Sequence, residues 1–102
     1  MKLWIDDIRP APEGYIWLKS TNEALRFISA HRSEIEEISL DHDAGEYVAD
    51  GGDYIVILDE LERISYYLPT AFNKYKFSIH SANPVGAARM RQIIKINGWK
   101  EI

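Results

Sequence analysis

Five short apolar segments alternate with loops and amphipathic segments along the 102-residue chain. Their length and their content of Ile, Leu, Trp and Phe predict β-strands. Most of the intervening segments have helical spacing, and strands joined by helical crossovers form a mainly parallel sheet with helices on its faces. We therefore predict an α/β domain with four or five strands. The predicted strand segments are "KLWI" (2–5), "YIWLK" (15–19), "IEEISLD" (35–41), "KFSIHSAN" (76–83) and "WKEI" (99–102).

Three segments carry the signals of a helix. The first begins with Ser20 or Thr21 as its N-cap. The second, at 53–68, has apolar residues at helical steps, although its β-branched opening also suits a strand. The third has Asn83 as a candidate N-cap and Pro84 at the first helical position. We predict a helix in each of these places.

Polar residues follow three of the predicted strands. Ligands of parallel α/β sheets bind outside the carboxyl ends of the strands, so these residues are predicted to converge at one edge. The segment "DIRPAPEG" after the first strand has two prolines and a glycine, which predicts a loop and places Arg9 beside the acids. The strand-end residues are Asp6 and Asp7, then Asp41, His42 and Asp43, and finally His80, Ser81 and Asn83.

These residue types suit chemistry on phosphates. Carboxylates are hard oxygen ligands of the kind that Mg²⁺ or Mn²⁺ prefers. Imidazoles titrate near neutral pH, so His42 and His80 are candidates for a base and an acid. The start of the third helix offers backbone N–H groups to phosphate oxygens. The candidate metal ligands are Asp6, Asp7, Asp41 and Asp43, and the candidate phosphate-binding side chains are Arg9, Ser81 and Asn83.

Composition narrows the possible partners and the location of the protein. A net charge of −4 argues against binding duplex DNA through a broad basic surface. Since the chain has no cysteine, disulfides and thiolate metal sites are excluded. No apolar run is long enough for a membrane span, so a cytoplasmic protein is expected. The length suits one domain over residues 1–102, and no pattern indicates its oligomeric state.

Three motifs occur in order: "WIDDIRP" (4–10), "ISLDHDAG" (38–45) and "HSANPVGAARM" (80–90). With them the chain resembles the cyclic-phosphate processing receiver-like domain family over essentially its whole length. The resemblance implies a flavodoxin-like, three-layer α/β/α fold, shortened relative to ordinary receivers. It also implies hydrolysis of cyclic phosphates of nucleotides or RNA ends, and the carboxylates add the expectation that Mg²⁺ or Mn²⁺ assists the reaction. The positions carried over are Asp6, Asp7, Arg9, Asp41, His42, Asp43, His80, Ser81 and Asn83. Among them we expect His42, His80 and Asp41 to be the catalytic residues.

The chain departs from the family pattern in two places. Ala44 stands where the family usually has leucine, which changes packing and leaves the chemistry open. The stretch "DGGDYIV" (50–56) matches the corresponding family stretch only loosely, so we assign Asp50 and Asp53 no catalytic role.

Two other functions remain open at this point. The chain also resembles an ordinary receiver, in which Asp41 would accept a phosphoryl group as a signalling switch. No Lys-Pro follows a fifth strand, because Lys100 lies inside the last strand, and a switch does not need His42 and His80. The third possibility is a noncatalytic nucleotide- or partner-binding module on the same fold.

Overall fold

The computed structural model describes residues 1–102, which form a five-stranded parallel sheet and three α-helices. The strand order is β2-β1-β3-β4-β5, with every neighbouring pair parallel. The predicted receiver-like α/β fold class is confirmed, and the ambiguous segment at 53–68 is mostly helical. None of the helices has the length and apolar character that crossing a membrane requires. The elements are β1 (Lys2–Ile5), β2 (Tyr15–Leu18), α1 (Thr21–His31), β3 (Glu37–Leu40), α2 (Ile55–Tyr67), β4 (Lys76–Ile79), α3 (Pro84–Ile96) and β5 (Lys100–Glu101).

Side-chain caps fix where α1 and α3 begin. The Ser20 hydroxyl accepts a hydrogen bond from the Glu23 N–H at 3.0 Å, and the Glu23 carboxylate accepts one from the Lys19 N–H at 2.8 Å. At α3, the Asn83 side-chain oxygen accepts the Gly86 N–H at 3.0 Å. These bonds satisfy backbone donors that the first helical turn leaves without partners. The loop at 80–83 therefore joins the end of β4 to a fixed start of α3.

All three helices lie on one face of the sheet. The crossovers from β2 to β3, β3 to β4 and β4 to β5 step across the sheet in one direction, and right-handed crossovers then place their helices on the same side. In agreement, α2 contacts both α1 and α3. The sheet and helices share a single core cluster, whose largest members include Leu3, Ile5, Ile38, Leu40, Ile57, Leu58, Leu61, Phe72, Phe77 and Met90.

The layering corrects one expected detail of the fold. We expected three layers, and the structure has two, one of strands and one of helices. The reason is the connection from β1 to β2, where the loop at 6–14 replaces the helix that would cover the second face. Within the 102 residues, no helix follows β5 that could cover this second face of the sheet.

The other face of the sheet is covered by its own side chains. The Lys19 ammonium lies 4.4 Å from the centroid of the Trp17 ring, and Lys2 lies 5.7 Å from that of Tyr15. Such cation–π contacts let lysine stems cover aromatic surface while the charge stays in water. The ring of Trp4 is covered by His80 of the functional site described below. The aromatic rings on this face are therefore partly covered by neighbouring side chains, although no helix packs on it.

Replacement of Leu40 in β3 tests whether the sheet and the helices share one core. The Leu40 side chain is fully buried between the sheet and the helices. We expect Leu40→Ala to lower the free energy of unfolding by about 2–5 kcal/mol, measured by urea denaturation, because it leaves a cavity. As a control, Ile96→Ala at a 69% exposed position should change it by less than about 0.5 kcal/mol. Equal losses in the two variants would contradict the described core.

Candidate active site at the carboxyl edge of the sheet

The ends of β1, β3 and β4 meet at one edge of the sheet. The strand ladder continues one residue beyond each strand, since the Asp41 N–H donates to the Ile5 carbonyl and the His80 N–H donates to that of Leu40, both at 2.9 Å. These bonds fix the backbone that carries Asp6, Asp41 and His80. The structure thus brings the three sequence motifs together at this edge.

Three carboxylates, those of Asp6, Asp7 and Asp41, form a compact group. One oxygen from each lies within 4.8 Å of the others. Asp6 is 1% exposed and Asp41 is also buried. Burial raises the pKa of Asp7, and the negative charges of Asp6 and Asp41 raise it further. This three-carboxylate group therefore concentrates negative charge where little water screens it, which favours a bound cation.

Arg9 is the one arginine or lysine paired with this group. Its Nε lies 3.3 Å from Asp6 Oδ2, and one of its terminal nitrogens lies 3.9 Å from Asp41 Oδ2. The side chain is 50% exposed, so part of the guanidinium faces solvent. One positive charge leaves the three-carboxylate group with a net negative charge when all three acids are ionised.

Asp6 is held as a carboxylate by its hydrogen bonds. Burial alone would raise its pKa, but bonds from the N–H groups of Arg9 and Ile8 and from His80 outweigh it and lower the pKa. Both N–H groups donate to Oδ1 at 2.9 Å. Asp6 therefore keeps its negative charge and a fixed orientation.

His42 and Asp43 form a pair with a defined proton arrangement. His42 Nδ1 lies 2.6 Å from Asp43 Oδ1, and the hydrogen bond lowers the pKa of Asp43. An ionised carboxylate only accepts, so Nδ1 carries the proton of the neutral ring and Nε2 keeps its lone pair. Nε2 has no hydrogen-bond partner in the structure. The Asn83 amide nitrogen also donates to Asp43 Oδ1, at 3.3 Å, which holds the pair in place.

Two glycines make room for site residues. A Cβ at Gly86, in the first turn of α3, would overlap the ring of His42, and one at Gly45 would overlap the Asp7 carboxylate. Gly45 also has a φ of +55°, a conformation that glycine adopts at little cost. The position of the His42 ring therefore requires glycine at 86, and Gly45 combines its left-handed φ with room for the Asp7 carboxylate.

His80 differs from His42 because both its ring nitrogens are engaged. Nε2 lies 3.0 Å from Asp6 Oδ2, and Nδ1 lies 2.8 Å from the Ser39 hydroxyl. Burial lowers the pKa of His80, and this outweighs the opposing effect of the Asp6 carboxylate. In this arrangement the neutral ring has no nitrogen free to meet a substrate.

Ser81 and Asn83 are occupied by local bonds. The Ser81 hydroxyl accepts the Asn83 N–H at 3.1 Å, while Asn83 caps α3 and contacts Asp43. Both shape the loop between β4 and α3. Their expected contact with phosphate stays a prediction.

Residues 1–96 match the family described as the cyclic-phosphate processing receiver domain. The chain belongs to this family. No curated protein and no solved structure shows a significant match to it. The resemblance inferred from the three motifs is thereby confirmed over nearly the whole chain.

The four predicted metal ligands of this cyclic-phosphate processing receiver domain fall into two groups: Asp6, Asp7 and Asp41 form one, and Asp43 belongs to the other. Asp43 does not join the three-carboxylate group; its oxygen lies within 4.8 Å of ligand atoms of His42 and Asp53. Asp53, to which we assign no catalytic role, accepts the Ala44 N–H at 2.9 Å and so shapes the loop after β3. Asp43 is therefore placed to orient His42, and its role as a metal ligand stays a prediction.

The sequence interpretation missed several residues that build the site of this receiver domain. The sequence analysis assigns Trp4 and Ser39 no role at the site, although both contact His80. Gly86 was treated as part of a helix, although it makes room for His42. One signal was available for Gly86, because glycine is a poor helix former and its presence in a helix often marks a close approach.

Proposed function

We propose that this domain hydrolyses cyclic phosphates, carried by nucleotides or by RNA ends, with the help of a divalent metal ion. The observation that supports the proposal is the juxtaposition of an oriented imidazole with the three-carboxylate group. His42 directly follows Asp41 after β3, and its backbone N–H donates to Asp41 Oδ1 at 2.8 Å, which fixes the backbone that carries both side chains. A base with a free nitrogen beside a group that attracts a cation suits phosphodiester hydrolysis.

The residues of the three-carboxylate group fit a divalent metal ion. Asp6, Asp7 and Asp41 offer only oxygen, the donor preferred by Mg²⁺ and Mn²⁺, and water molecules would complete the coordination. A bound ion would polarise a phosphoryl oxygen and offset negative charge that develops during attack. Burial and, after it, repulsion from Asp6 and Asp41 raise the pKa of Asp7, and a bound cation would relieve that repulsion.

His42 is the residue best placed to transfer a proton. Its Nε2 takes a proton from a water molecule, whose oxygen forms a bond to phosphorus. The bond from phosphorus to one ring oxygen breaks, and that oxygen accepts a proton, so one water molecule is consumed. Between these two proton transfers the His42 ring carries a positive charge, which the Asp43 carboxylate stabilises. The second proton-transfer role expected for His80 stays a prediction.

Phosphate binding would use donors around the same edge. Arg9 has guanidinium N–H groups that face solvent beside the carboxylates, and guanidinium groups bind phosphate oxygens well. Ser81 and Asn83 flank the start of α3, whose backbone N–H groups and dipole favour anions. Cyclic phosphates carry a negative charge that these groups would attract.

Phosphorus NMR of substrate mixtures tests the proposed activity. The purified domain is incubated with 2′,3′-cyclic nucleotides, 3′,5′-cyclic nucleotides and an RNA with a cyclic-phosphate end. With Mg²⁺ or Mn²⁺ we expect a ring-opened monoester from at least one substrate, and no product when EDTA is present. Product formation that EDTA does not affect would contradict the metal's role. Absence of product with both metals and all substrates would contradict hydrolysis.

A phosphoryl switch is the second candidate function. The placement of Asp6, Asp7 and Asp41 at the ends of β1 and β3 is also that of a phosphoacceptor site. Beryllofluoride with Mg²⁺ should then perturb Asp41 and residues far from it in a two-dimensional NMR spectrum. Ligand-dependent shifts from a cyclic nucleotide without product would instead favour a binding module.

A further inference from the structure

A continuous chain of hydrogen bonds crosses the sheet from β4 to the end of β1. The Ser78 hydroxyl donates to the Ser39 hydroxyl at 2.7 Å, and Ser39 Oγ lies 2.8 Å from His80 Nδ1. His80 Nε2 then lies 3.0 Å from Asp6 Oδ2. We refer to Ser78, Ser39, His80 and Asp6 as the serine–histidine chain. It ends on a member of the three-carboxylate group.

The proton arrangement along this chain is consistent from end to end. Because Ser39 accepts from Ser78, its own hydroxyl proton can donate to His80 Nδ1. Nδ1 is then the acceptor of the neutral ring, and the proton lies on Nε2, which donates to the Asp6 carboxylate. Every donor meets an acceptor, so the neutral His80 ring is fully satisfied.

Trp4 fixes the plane of the same imidazole. The two rings are stacked with centroids 3.7 Å apart and an angle of 5° between their planes. The Trp4 indole N–H donates to the Arg9 carbonyl at 2.8 Å, which ties Trp4 to the loop after β1. Stacking restricts tilting of the His80 ring, and the bonds at its two nitrogens restrict rotation within that plane.

The two serines are unusual for their positions. Ser39 is 3% exposed in the middle of β3, and its register partners are Trp4 on β1 and Ser78 on β4. Interior strands of parallel sheets favour β-branched and other apolar residues, which pack better than serine. A buried hydroxyl is tolerated where it is hydrogen-bonded, and the main partner available to Ser39 besides Ser78 is His80.

We propose that Ser39 and Ser78 are positioning residues that act through His80 to hold the Asp6 carboxylate in place for a metal ion. The inference rests on the proposed metal role of Asp6. Asp6 Oδ1 is held by backbone N–H groups, and the His80 Nε2 proton holds Oδ2. Groups that orient a ligand in this way commonly change metal affinity when they are removed.

The test compares Ser39→Ala with Ser39→Thr and with Ser65→Ala. The threonine variant keeps a hydroxyl at position 39. Ser65 is a matched control because its hydroxyl bonds only to a carbonyl within α2, that of Glu62. Free Mn²⁺ is measured by electron paramagnetic resonance, which requires no catalytic activity. We expect Ser39→Ala to weaken Mn²⁺ binding by about 10-fold or more, Ser39→Thr to restore much of it, and Ser65→Ala to leave it unchanged.

Nitrogen NMR of His80 supplies a readout that loss of stability alone would not move. At a pH well above the ordinary histidine pKa of about 6.5, the wild-type spectrum should show a protonated Nε2 and a hydrogen-bonded, unprotonated Nδ1. In Ser39→Ala, the Nδ1 resonance should move towards that of an unbonded nitrogen. The spectrum is recorded without metal, on variants whose fold has been checked by circular dichroism.

The outcomes separate this inference from the proposed activity. Weaker Mn²⁺ binding by Ser39→Ala, together with the expected His80 spectrum, supports the positioning role even if no substrate is hydrolysed. Unchanged Mn²⁺ affinity in Ser39→Ala, a proton on Nδ1 in the wild type, or absence of Mn²⁺ binding by the wild type would overturn it. Hydrolysis with unchanged Mn²⁺ affinity in Ser39→Ala would retain the proposed function and reject the inference.

Discussion

Replacing His42 with alanine should lower the rate of cyclic-phosphate hydrolysis by about 10²–10⁴-fold, the usual contribution of a positioned proton-transfer group. The ring has one nitrogen bound to Asp43 and the other without a partner, so its loss removes an oriented base. The His42 side chain is partly exposed and lies outside the core cluster, so the fold should persist. The rate is measured by phosphorus NMR on the substrate found to be active.

His31→Ala is the matched control for this variant. His31 lies at the end of α1, where it pairs with Glu34 and packs on Phe27, and it belongs to neither site group. Its replacement should leave the rate of hydrolysis unchanged. A His42→Ala protein that is folded, shown by circular dichroism, and still hydrolyses the substrate at the wild-type rate would exclude the proposed base.

Gly86→Ala should produce a loss of similar size without removing any polar group. A Cβ at this position would overlap the His42 ring, so either the ring or the start of α3 must shift. A displacement of this kind near reacting groups can lower the rate by about 10²-fold. Alanine is the better helix former by about 1 kcal/mol, so helix propensity alone would make the variant more stable. The rate and the free energy of unfolding are measured together.

A double-mutant cycle identifies the cause of the Gly86→Ala effect. In a His42→Ala background the ring that lies nearest to the added Cβ is absent, so the closest overlap is removed and the helix gains from alanine. Gly86→Ala should therefore be neutral or stabilising there, whereas in the wild type it should be less favourable. Equal changes in the free energy of unfolding in the two backgrounds would show that the two residues do not interact.

Local patterns in the sequence were sufficient to predict the elements and their order. Strand-length apolar segments, the caps at Ser20 and Asn83, and the prolines after Asp7 are signals whose physical causes act within a few residues. Parallel strands then place their carboxyl ends at one edge, so the meeting of Asp6, Asp41 and His80 followed from topology. This is why the location of the candidate site could be predicted before any contact was known.

The single helical layer was decided by the path of the chain in three dimensions. The prediction of a loop at 7–14 is confirmed, yet its consequence for the second face depends on the strand order. Once β2 lies at one sheet edge, the three later crossovers all run in the same direction and cover the same face. Strand order follows from pairing between distant segments, which no local pattern records.

Tertiary structure also decided what each histidine contacts. The sequence treated His42 and His80 as an equivalent pair, but Asp43 binds one ring while Ser39 and Asp6 bind the other. Ser39 and His80 are 41 positions apart in the chain, and only the register of β3 and β4 makes them neighbours. Sequence by itself determined which chemical groups reach this edge, because that depends on local structure and topology. Their hydrogen-bond partners depend on side-chain directions across strands, which only the folded structure fixes.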